Sequence, residues 1–250
     1  MTERYGSLAA ELYDLAYPIG TSFGDLEYYR DRLQGTDGRI LEPAVGTGRL
    51  LIPLMESGLV VEGYDLSAAM LAVCRRHGEE RGLTLTVFEA DMARFVDPEA
   101  YEVIMLPAGS FALVEDSEDA EAALAAFHAS LLPGGRLILD LDPPPFAPDA
   151  RPSRVHTGPD DTVITMDTLS RELDPVRQVC TRYLRYEKWQ GGAWISAELH
   201  RFPLRWYGLN EFRQFLSRAG FTNIIVSGDY RHGIPPTEAS QAWTFEAVRA

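Results

Sequence analysis

The sequence has few cysteines, few basic residues and no long apolar run. Cys74 and Cys180 are its only cysteines, too few for a disulfide framework or a thiolate metal site. No apolar stretch approaches the length of a membrane span, and the first residues, MTERYGSLAA, lack the apolar core of a secretion signal. Lys and Arg number 23 against 37 Asp and Glu, which gives a formal net charge of −14. We therefore expect a cytoplasmic protein with reduced thiols that binds neither nucleic acid nor a membrane surface.

What the sequence does contain is an alternation of predicted strands and helices. Buried strands are predicted at residues 39–42, 59–65, 83–89, 102–106 and 136–141, with helices at 48–57, 67–81 and 116–131 between them. Such alternation is typical of a parallel sheet with helices on both faces. In this arrangement ligands bind outside the carboxyl ends of the strands, near the point where the strand order reverses.

A second pattern begins after Leu141, where the sequence becomes rich in proline (DPPPFAPDARP). Residues 162–170, 177–189 and 194–206 predict three antiparallel strands, the last two joined by a turn at QGG. Helical spacing returns from Leu209, and the segments FTNIIVS and AWTFEAV close the first sheet. The predicted fold class is α/β: a doubly wound, Rossmann-like, seven-stranded sheet with an inserted antiparallel β layer.

Three carboxylates mark the ends of the first three predicted strands: Glu42, Asp65 and Asp91. A glycine turn, Gly46-Thr47-Gly48, follows the first of them. The dinucleotide fingerprint needs a third small residue after this turn, but Arg, Leu and Leu stand there instead. An acid at the mouth of the turn would also repel phosphate. The sequence therefore favours a ligand that is rich in hydrogen-bond donors and carries no phosphate at this point.

S-adenosylmethionine has these properties, since it carries a sulfonium and an ammonium and no phosphate. A glycine turn lets the backbone approach the methionine portion without a Cβ clash, and Glu42 can hold the cationic end. Asp65 can accept hydrogen bonds from both ribose hydroxyls, as acids do in nucleotide-binding sheets. Asp91 can accept from the exocyclic amine of adenine, and Leu66 and Met92 can supply apolar walls for the ring.

Four segments resemble motifs of the class I S-adenosylmethionine-dependent methyltransferases, in particular the small-molecule type. ILEPAVGTGRL resembles the first motif, VEGYDLSAAML the second, EADMARF the adenine-binding segment and LLPGGRLILD the approach to the fifth strand. The resemblance covers residues 36–142 and returns at 209–249, and it implies a methyltransferase of the EC 2.1.1 class. Ala44 departs from the glycine common in the family. We expect its backbone to stay extended, with a small local adjustment.

The N-terminal segments ELYDLAYP and EYYRDRL resemble the leading helices of small-molecule members of this family. A tyrosine at the place of Tyr13 often borders the cofactor there; alternatively, Tyr13 is a half-buried helix aromatic. The resemblance and the strand-end pattern together give the predicted cofactor-binding residues: Tyr13, Glu42, Ala44, Gly46, Gly48, Asp65, Leu66, Asp91, Met92 and Pro107.

Four regions follow from these patterns. We expect an N-terminal helical lid over residues 1–35 and a cofactor-binding α/β core over 36–142. Inserted antiparallel strands over 143–206 would form a roof for the acceptor, and residues 207–250 would return to the core sheet.

The acceptor is suggested by the segment after the fourth strand, LPAGSFALVED. It lacks the Asn/Asp-Pro-Pro-aromatic sequence typical of methyltransferases that act on adenine or on glutamine amides. We therefore expect a small organic acceptor, methylated on oxygen or nitrogen by in-line displacement. His200, as a general base, and Arg205 are the candidate catalytic residues, although a lone His or a strand Arg is more often structural. No His, Asp or Glu grouping has metal-ligand spacing, so no metal is predicted.

Alternative functions stay open at this point. A dinucleotide-dependent oxidoreductase is disfavoured by Glu42 and by the missing third glycine. A cofactor-binding homologue with other chemistry, or with a non-catalytic binding role, would keep the same motifs. The sequence does not identify the acceptor, the atom that is methylated or the oligomeric state.

Overall fold

A computed structural model describes residues 5–146, 153–159 and 161–250. The helices are α1 Ser7–Ala16, α2 Asp25–Arg32, α3 Leu51–Glu56, α4 Ala68–Glu80, α5 Ser117–Ser130 and α6 Leu209–Arg218. The strands are β1 Ile40–Pro43, β2 Val61–Asp65, β3 Thr86–Glu89, β4 Tyr101–Leu106, β5 Leu131–Leu141, β6 Arg154–Thr157, β7 Thr162–Asp174, β8 Val179–Gln190, β9 Ala193–Arg205, β10 Phe221–Gly228 and β11 Trp243–Arg249.

The first sheet has seven strands in the order β10-β11-β5-β4-β1-β2-β3. The central strands are parallel, and β11 is antiparallel to both β5 and β10. Ile40 of β1 pairs with Val61 of β2 on one side and with Val103 of β4 on the other. The strand order therefore reverses between β1 and β4, where a doubly wound sheet places its ligand.

The core lies on both faces of this sheet, as the alternating pattern predicts. Ile104 and Leu106 of β4 pack into a cluster with α5 and α6, whereas Val103 and Met105 pack into a cluster on the opposite face. All four side chains are fully buried. Burying each contributes about 1.5–3 kcal/mol, so this strand anchors both layers.

The second sheet, here called the roof sheet, is antiparallel and has the order β6-β7-β8-β9. The prediction of three inserted strands was therefore wrong by one. The additional strand, β6, pairs with β7 through Arg154 opposite Met166. It has only four residues, too few for a reliable alternation. It also follows the Pro-rich segment, part of which (147–152) lies outside the described residues.

Helix α1 joins the roof sheet to the core. Leu8 and Leu12 pack against Ile164, Leu184 and Tyr186 of the roof sheet. Ion pairs hold the polar face of the helix at both sides: Glu11 to Lys188 of β8 at 2.7 Å and Asp14 to Arg76 of α4 at 2.7 Å. The helix is therefore fixed between the two sheets.

Candidate functional site

The glycine turn after β1 is built from left-handed residues. Ala44, Gly46 and Gly48 have φ values of 54°, 57° and 84°. The expectation of an extended backbone at Ala44 was wrong, because the turn requires a positive φ there. The turn is fixed in this form by the Val45 N–H, which donates to the carbonyl of Tyr64 in β2 at 3.0 Å. Alanine bears a steric cost in this conformation that glycine does not.

Asp65 at the end of β2 ties this turn to α4. Its Oδ2 accepts from the Gly46 N–H at 2.9 Å, and its Oδ1 accepts from the Ser67 N–H at 2.8 Å. Ser67 in turn caps α4 by accepting from the Met70 N–H at 3.2 Å. A carboxylate oxygen can accept more than one hydrogen bond. Asp65 can therefore hold this framework and still accept from a ligand.

A first cavity of about 80 Å³ opens beside Asp65. Of the residues predicted to bind the cofactor, it is lined by Tyr13, Ala44, Gly46, Asp65, Leu66 and Met92. Lining residues that the sequence reasoning missed are Tyr5, Tyr64, Ser67, Met70, Ala90, Ser110 and Leu113. Tyr64, Ser67 and Ala90 are immediate chain neighbours of predicted residues, so the strand-end positions were a signal that could have found these three. The other four depend on how the chain folds.

The other predicted residues lie behind the cavity walls. A Cβ on Gly48 would come within 2.8 Å of Cys74 Sγ, so Gly48 allows close packing against α4. Asp91 Oδ1 accepts from the Ala93 N–H at 2.9 Å. The carbonyl of Pro107 accepts from the Ser110 hydroxyl at 2.8 Å. With Glu42, these residues are absent from the lining of both described cavities.

Glu42, at the end of β1 before the glycine turn, is a buried acid whose pKa is shifted. It is 3% exposed, and its Oε2 has no hydrogen-bond partner among the described residues. Burial raises the pKa of Glu42 to about 8, against the opposing effect of nearby Arg49. A buried acid with an unsatisfied oxygen at the mouth of the turn is suited to a ligand that brings a cationic hydrogen-bond donor.

Arg49, directly after the turn, forms a buried ion pair with Asp25 at 2.6 Å. The two side chains are 4% and 0% exposed. Arg49 also donates to the carbonyl of Thr21 at 2.6 Å and lies over the ring of Phe23. The pair joins the glycine turn to the segment that leads into α2.

A second cavity, of about 530 Å³, lies between the core and the roof sheet. The two cavities share Tyr5, Tyr13, Ser110 and Leu113 in their linings, so they meet at these four residues. The volume of the second cavity is typical of a small-molecule site, whereas the first is too small to enclose such a ligand alone. A ligand that begins beside Asp65 can therefore extend toward the second cavity past these four residues.

Comparison with known proteins identifies the family. A methyltransferase domain matches residues 40–135. The glycine/sarcosine N-methyltransferase of Halorhodospira halochloris is 30% identical over 203 residues, which are 77% of this chain and 69% of that protein. The chain belongs to the S-adenosylmethionine-dependent methyltransferases. The predicted enzyme class and cofactor are thereby confirmed.

Two further comparisons are informative about this methyltransferase. The demethylmenaquinone methyltransferase of Thermus thermophilus is 35% identical over 144 residues, but the match covers only 54% of this chain and 64% of that protein. The sugar N-methyltransferase KedS8 from Streptoalloteichus has the same fold, with a TM-score of 0.75 and 24% identity. The alignment covers 100% of this chain and 97% of that structure. The predicted fold class is confirmed. No helix among the described residues is long and apolar enough to cross a bilayer.

The residues of the first cavity fit S-adenosylmethionine. Asp65 offers acceptors at the end of β2, and Leu66 and Met92 offer apolar surface beside it. The small residues of the turn leave room for a ligand to pass close to the backbone. Glu42 lies outside the lining, at the end of β1 just before the turn, and its Oε2 has no hydrogen-bond partner among the described residues, which suits a ligand with an ammonium and a sulfonium.

The candidate catalytic residues of the methyltransferase do not line either cavity, although His200 lies beside the second one: it is opposite Leu184 in the roof sheet, and its ring packs edge-on against Tyr186 with centroids 5.1 Å apart. His200 Nε2 is 2.9 Å from Glu198 Oε2, and Glu198 Oε1 accepts from the Leu8 N–H at the start of α1. Arg205 donates to the carbonyl of Arg177 at 3.1 Å. His200 and Arg205 are themselves absent from the residues that line the cavities, and their catalytic role stays a prediction.

Both β8 and β9 supply lining residues, which on β9 are Phe202 and Leu204. Arg182, Leu184 and Tyr186 line the second cavity together, and the period-two alternation of β8 places them on one face. On the core side, Asp140 Oδ2 accepts from the Ala108 N–H at 3.1 Å and from the Tyr230 hydroxyl at 3.2 Å. Burial raises the pKa of Asp140 to about 7. Asp140 thus positions two lining residues from behind the wall.

Glu42 gives the methyltransferase a specific pH dependence. Its folded pKa is about 8 against an ordinary value of 4.5, so between these pH values the folded protein keeps a proton that the unfolded chain has lost. The free energy of unfolding must therefore fall as pH rises through this window. Glu42→Gln is neutral in both states and lacks this dependence. We expect the difference in unfolding free energy, wild type minus variant, to decrease by about 1 kcal/mol or more from pH 5 to pH 8 in urea denaturation. A constant difference would show that Glu42 is ionised throughout.

Proposed function

We propose that the protein transfers a methyl group from S-adenosylmethionine to an amine nitrogen of a small acceptor in the second cavity. The observation that carries this proposal is the meeting of the two cavities at Tyr5, Tyr13, Ser110 and Leu113. A cofactor that begins at Asp65 and an acceptor under the roof sheet come together only at this junction. The choice of nitrogen is supported by the two N-methyltransferases named above and by Asp142 and Asp229, which line the second cavity.

The described residues would divide the binding of the cofactor as follows. Asp65 would accept from the ribose hydroxyls, and Leu66 and Met92 would pack against the adenine. Glu42 would accept from the ammonium of the methionine portion, with Arg49 holding the carboxylate of Glu42 toward its ionised form. Tyr13 would border the methionine portion at the junction.

The chain's part in the reaction is alignment and exclusion of water. When bound, the cofactor supplies an electrophilic methyl group on sulfur. The nitrogen–carbon bond forms as the carbon–sulfur bond breaks, which leaves S-adenosylhomocysteine and a product ammonium that loses its proton to water. The shared wall at the junction would hold the acceptor nitrogen in line, and α1 and the roof sheet would keep bulk water out. We propose that residues 1–35 act as the lid and 143–206 as the acceptor roof; residues 1–4, 147–152 and 160 of these regions lie outside the described residues.

We assign His200 and Arg205 a supporting role in this reaction. His200 contacts Glu198, which holds the start of α1. A neutral amine is already a nucleophile, so the transfer needs no side chain at the position of His200 to remove a proton first.

A transfer assay tests the proposed function. The protein is incubated with cofactor labelled in its methyl group and with a panel of small amines, alcohols and phenols. Formation of S-adenosylhomocysteine is measured by chromatography, and the labelled position by mass spectrometry. We expect S-adenosylhomocysteine to accumulate only with amines and the label to sit on nitrogen. A label on oxygen would overturn the choice of atom. Binding of the cofactor without turnover of any compound would favour a non-catalytic protein.

We further propose a cytoplasmic location and a small-molecule partner in place of nucleic acid. Cys74 and Cys180 are free and buried, which fits a reducing compartment. The net charge of −14 opposes binding to a polyanion, and the second cavity has the size of a small-molecule site.

A further inference from the structure

We propose that the acceptor is a compact amine that also carries a carboxylate or a phosphate, and that Arg154 of the roof sheet binds this anionic group. The inference rests on the proposed function and deepens it by naming the class of acceptor. The chemistry shared by the two anions is an oxyanion that accepts two hydrogen bonds from a guanidinium.

Arg154 is a cation of the second cavity without an acidic partner. It lies on β6 and lines the cavity, and its NH1 donates to the hydroxyl of Tyr17 at 2.8 Å. Among the described residues no carboxylate lies within ion-pair distance of Arg154, in contrast to Arg49, which is held by Asp25 in the same lining. A guanidinium has five N–H donors, so Arg154 can donate to a ligand while it keeps Tyr17.

The neighbours of Arg154 hold it toward the cavity. Tyr17 packs edge-on against Tyr13, with ring centroids 5.0 Å apart, and against Phe23, at 5.6 Å. Tyr186 lines the same cavity, and its phenol and Arg154 interact electrostatically. A cation surrounded by aromatic side chains is less well solvated than one at the surface. Its electrostatic attraction for an anionic ligand is therefore stronger.

The position of Arg154 also limits the size of the acceptor. Tyr13 stands at the junction of the cavities, and Tyr17 directly follows the last residue of α1. The rings of the two tyrosines are 5.0 Å apart, and Arg154 donates to the Tyr17 hydroxyl. An acceptor with its amine at the junction therefore reaches Arg154 with a spacer of a few bonds.

The opposite wall of the second cavity is acidic. Asp229 and Asp142 line it from the core side. The Gln241 N–H donates to Asp229 at 2.7 Å, and this bond lowers the pKa of Asp229, so its carboxylate is ionised at neutral pH. A cationic roof and an acidic floor are complementary to a molecule with an amine at one end and an anion at the other.

The experiment compares amines that differ only in the second group. The second group is a neutral hydroxyl in ethanolamine, a carboxylate in β-alanine and a phosphate in O-phosphoethanolamine. Glucosamine and glucosamine 6-phosphate form a larger pair. We expect kcat/KM at least about tenfold higher for the anionic members, which corresponds to a charge-assisted hydrogen bond. The comparison of β-alanine with O-phosphoethanolamine tells the two anions apart.

Two variants test the role of Arg154. Arg154→Gln should remove the preference for the anionic members by lowering their kcat/KM more than that of the neutral members, and should leave the affinity for S-adenosylhomocysteine unchanged in calorimetry. Arg154→Lys should restore part of the preference. The matched control is Arg185→Gln: Arg185 lies on β8, pairs with Asp167 at 3.0 Å and is absent from the cavity lining. The Arg185→Gln variant should show the same preference for anionic amines and the same affinity for S-adenosylhomocysteine as the wild type.

The outcomes separate the inference from the function on which it rests. Equal use of neutral and anionic amines, or an equal loss for both in Arg154→Gln, overturns the inference and leaves the proposed function standing. The same holds if S-adenosylhomocysteine binds and neutral amines, but no anionic amine, are methylated. Failure of S-adenosylhomocysteine to bind overturns the proposed function itself.

Discussion

Unfolding of an Arg49→Met variant is expected to require about 3–5 kcal/mol less free energy than unfolding of the wild type. Arg49 and Asp25 form an ion pair that is almost wholly buried, at 2.6 Å. Methionine fills the space of the arginine stem but leaves the Asp25 carboxylate buried without its cation. Among the described residues, Asp25 then keeps the Phe23 and Leu26 N–H groups as its only donors. Chemical denaturation followed by circular dichroism measures the loss.

The control for this prediction is Arg81→Met. Arg81 lies 3.7 Å from Glu56, with side chains 33% and 48% exposed, so its removal should cost less than about 1 kcal/mol. The double variant Asp25→Asn/Arg49→Met removes both charges and should recover part of the stability. Equal small losses in Arg49→Met and Arg81→Met would contradict the assignment of Arg49 to a buried pair.

The second large effect concerns the cofactor. Asp65→Ala should weaken binding of S-adenosylhomocysteine by about tenfold to a hundredfold, since hydrogen bonds to a charged acceptor are worth about 1.5–3 kcal/mol. The variant also leaves the Gly46 and Ser67 N–H groups without their acceptor, so the turn itself loosens. We therefore expect a lower unfolding temperature without ligand as well. Calorimetric titration and thermal denaturation measure the two effects.

Asp65→Asn and Asp97→Ala complete this test. Asparagine keeps one acceptor oxygen and should be intermediate in both measurements. Asp97 is a partly exposed acid that pairs with Arg39 at 3.3 Å, and its replacement should leave cofactor affinity unchanged. An Asp65→Ala variant that binds as tightly as the wild type would place the ribose elsewhere.

Much of the core architecture could be predicted because its signals are local. The buried strands between helices, as at 102–106, and the acids that follow them show the parallel sheet and its ligand edge directly in the sequence. The short strand β6 could not be predicted in this way. Four residues carry little periodicity, and their pairing with β7 depends on tertiary contact.

The residues of the site also divide into those that local sequence signals predict and those that depend on tertiary contacts. Asp65 and Met92 follow from their positions at strand ends, whereas the contacts of Asp65 with the glycine turn depend on how β1 and β2 pair. The left-handed Ala44 contradicts what alanine itself prefers. His200 stands out in the sequence as a strand histidine, but only the fold shows that Glu198, its neighbour on the same strand face, also holds the start of α1.

The most direct test of this account is a crystal structure of the protein with S-adenosylhomocysteine. The account predicts the adenosine in the first cavity, with its ribose hydroxyls on Asp65 and its adenine between Leu66 and Met92. The sulfur should face the second cavity at the junction beside Tyr13. A ligand whose sulfur points away from the second cavity, or whose adenine lies under the roof sheet, would contradict the account.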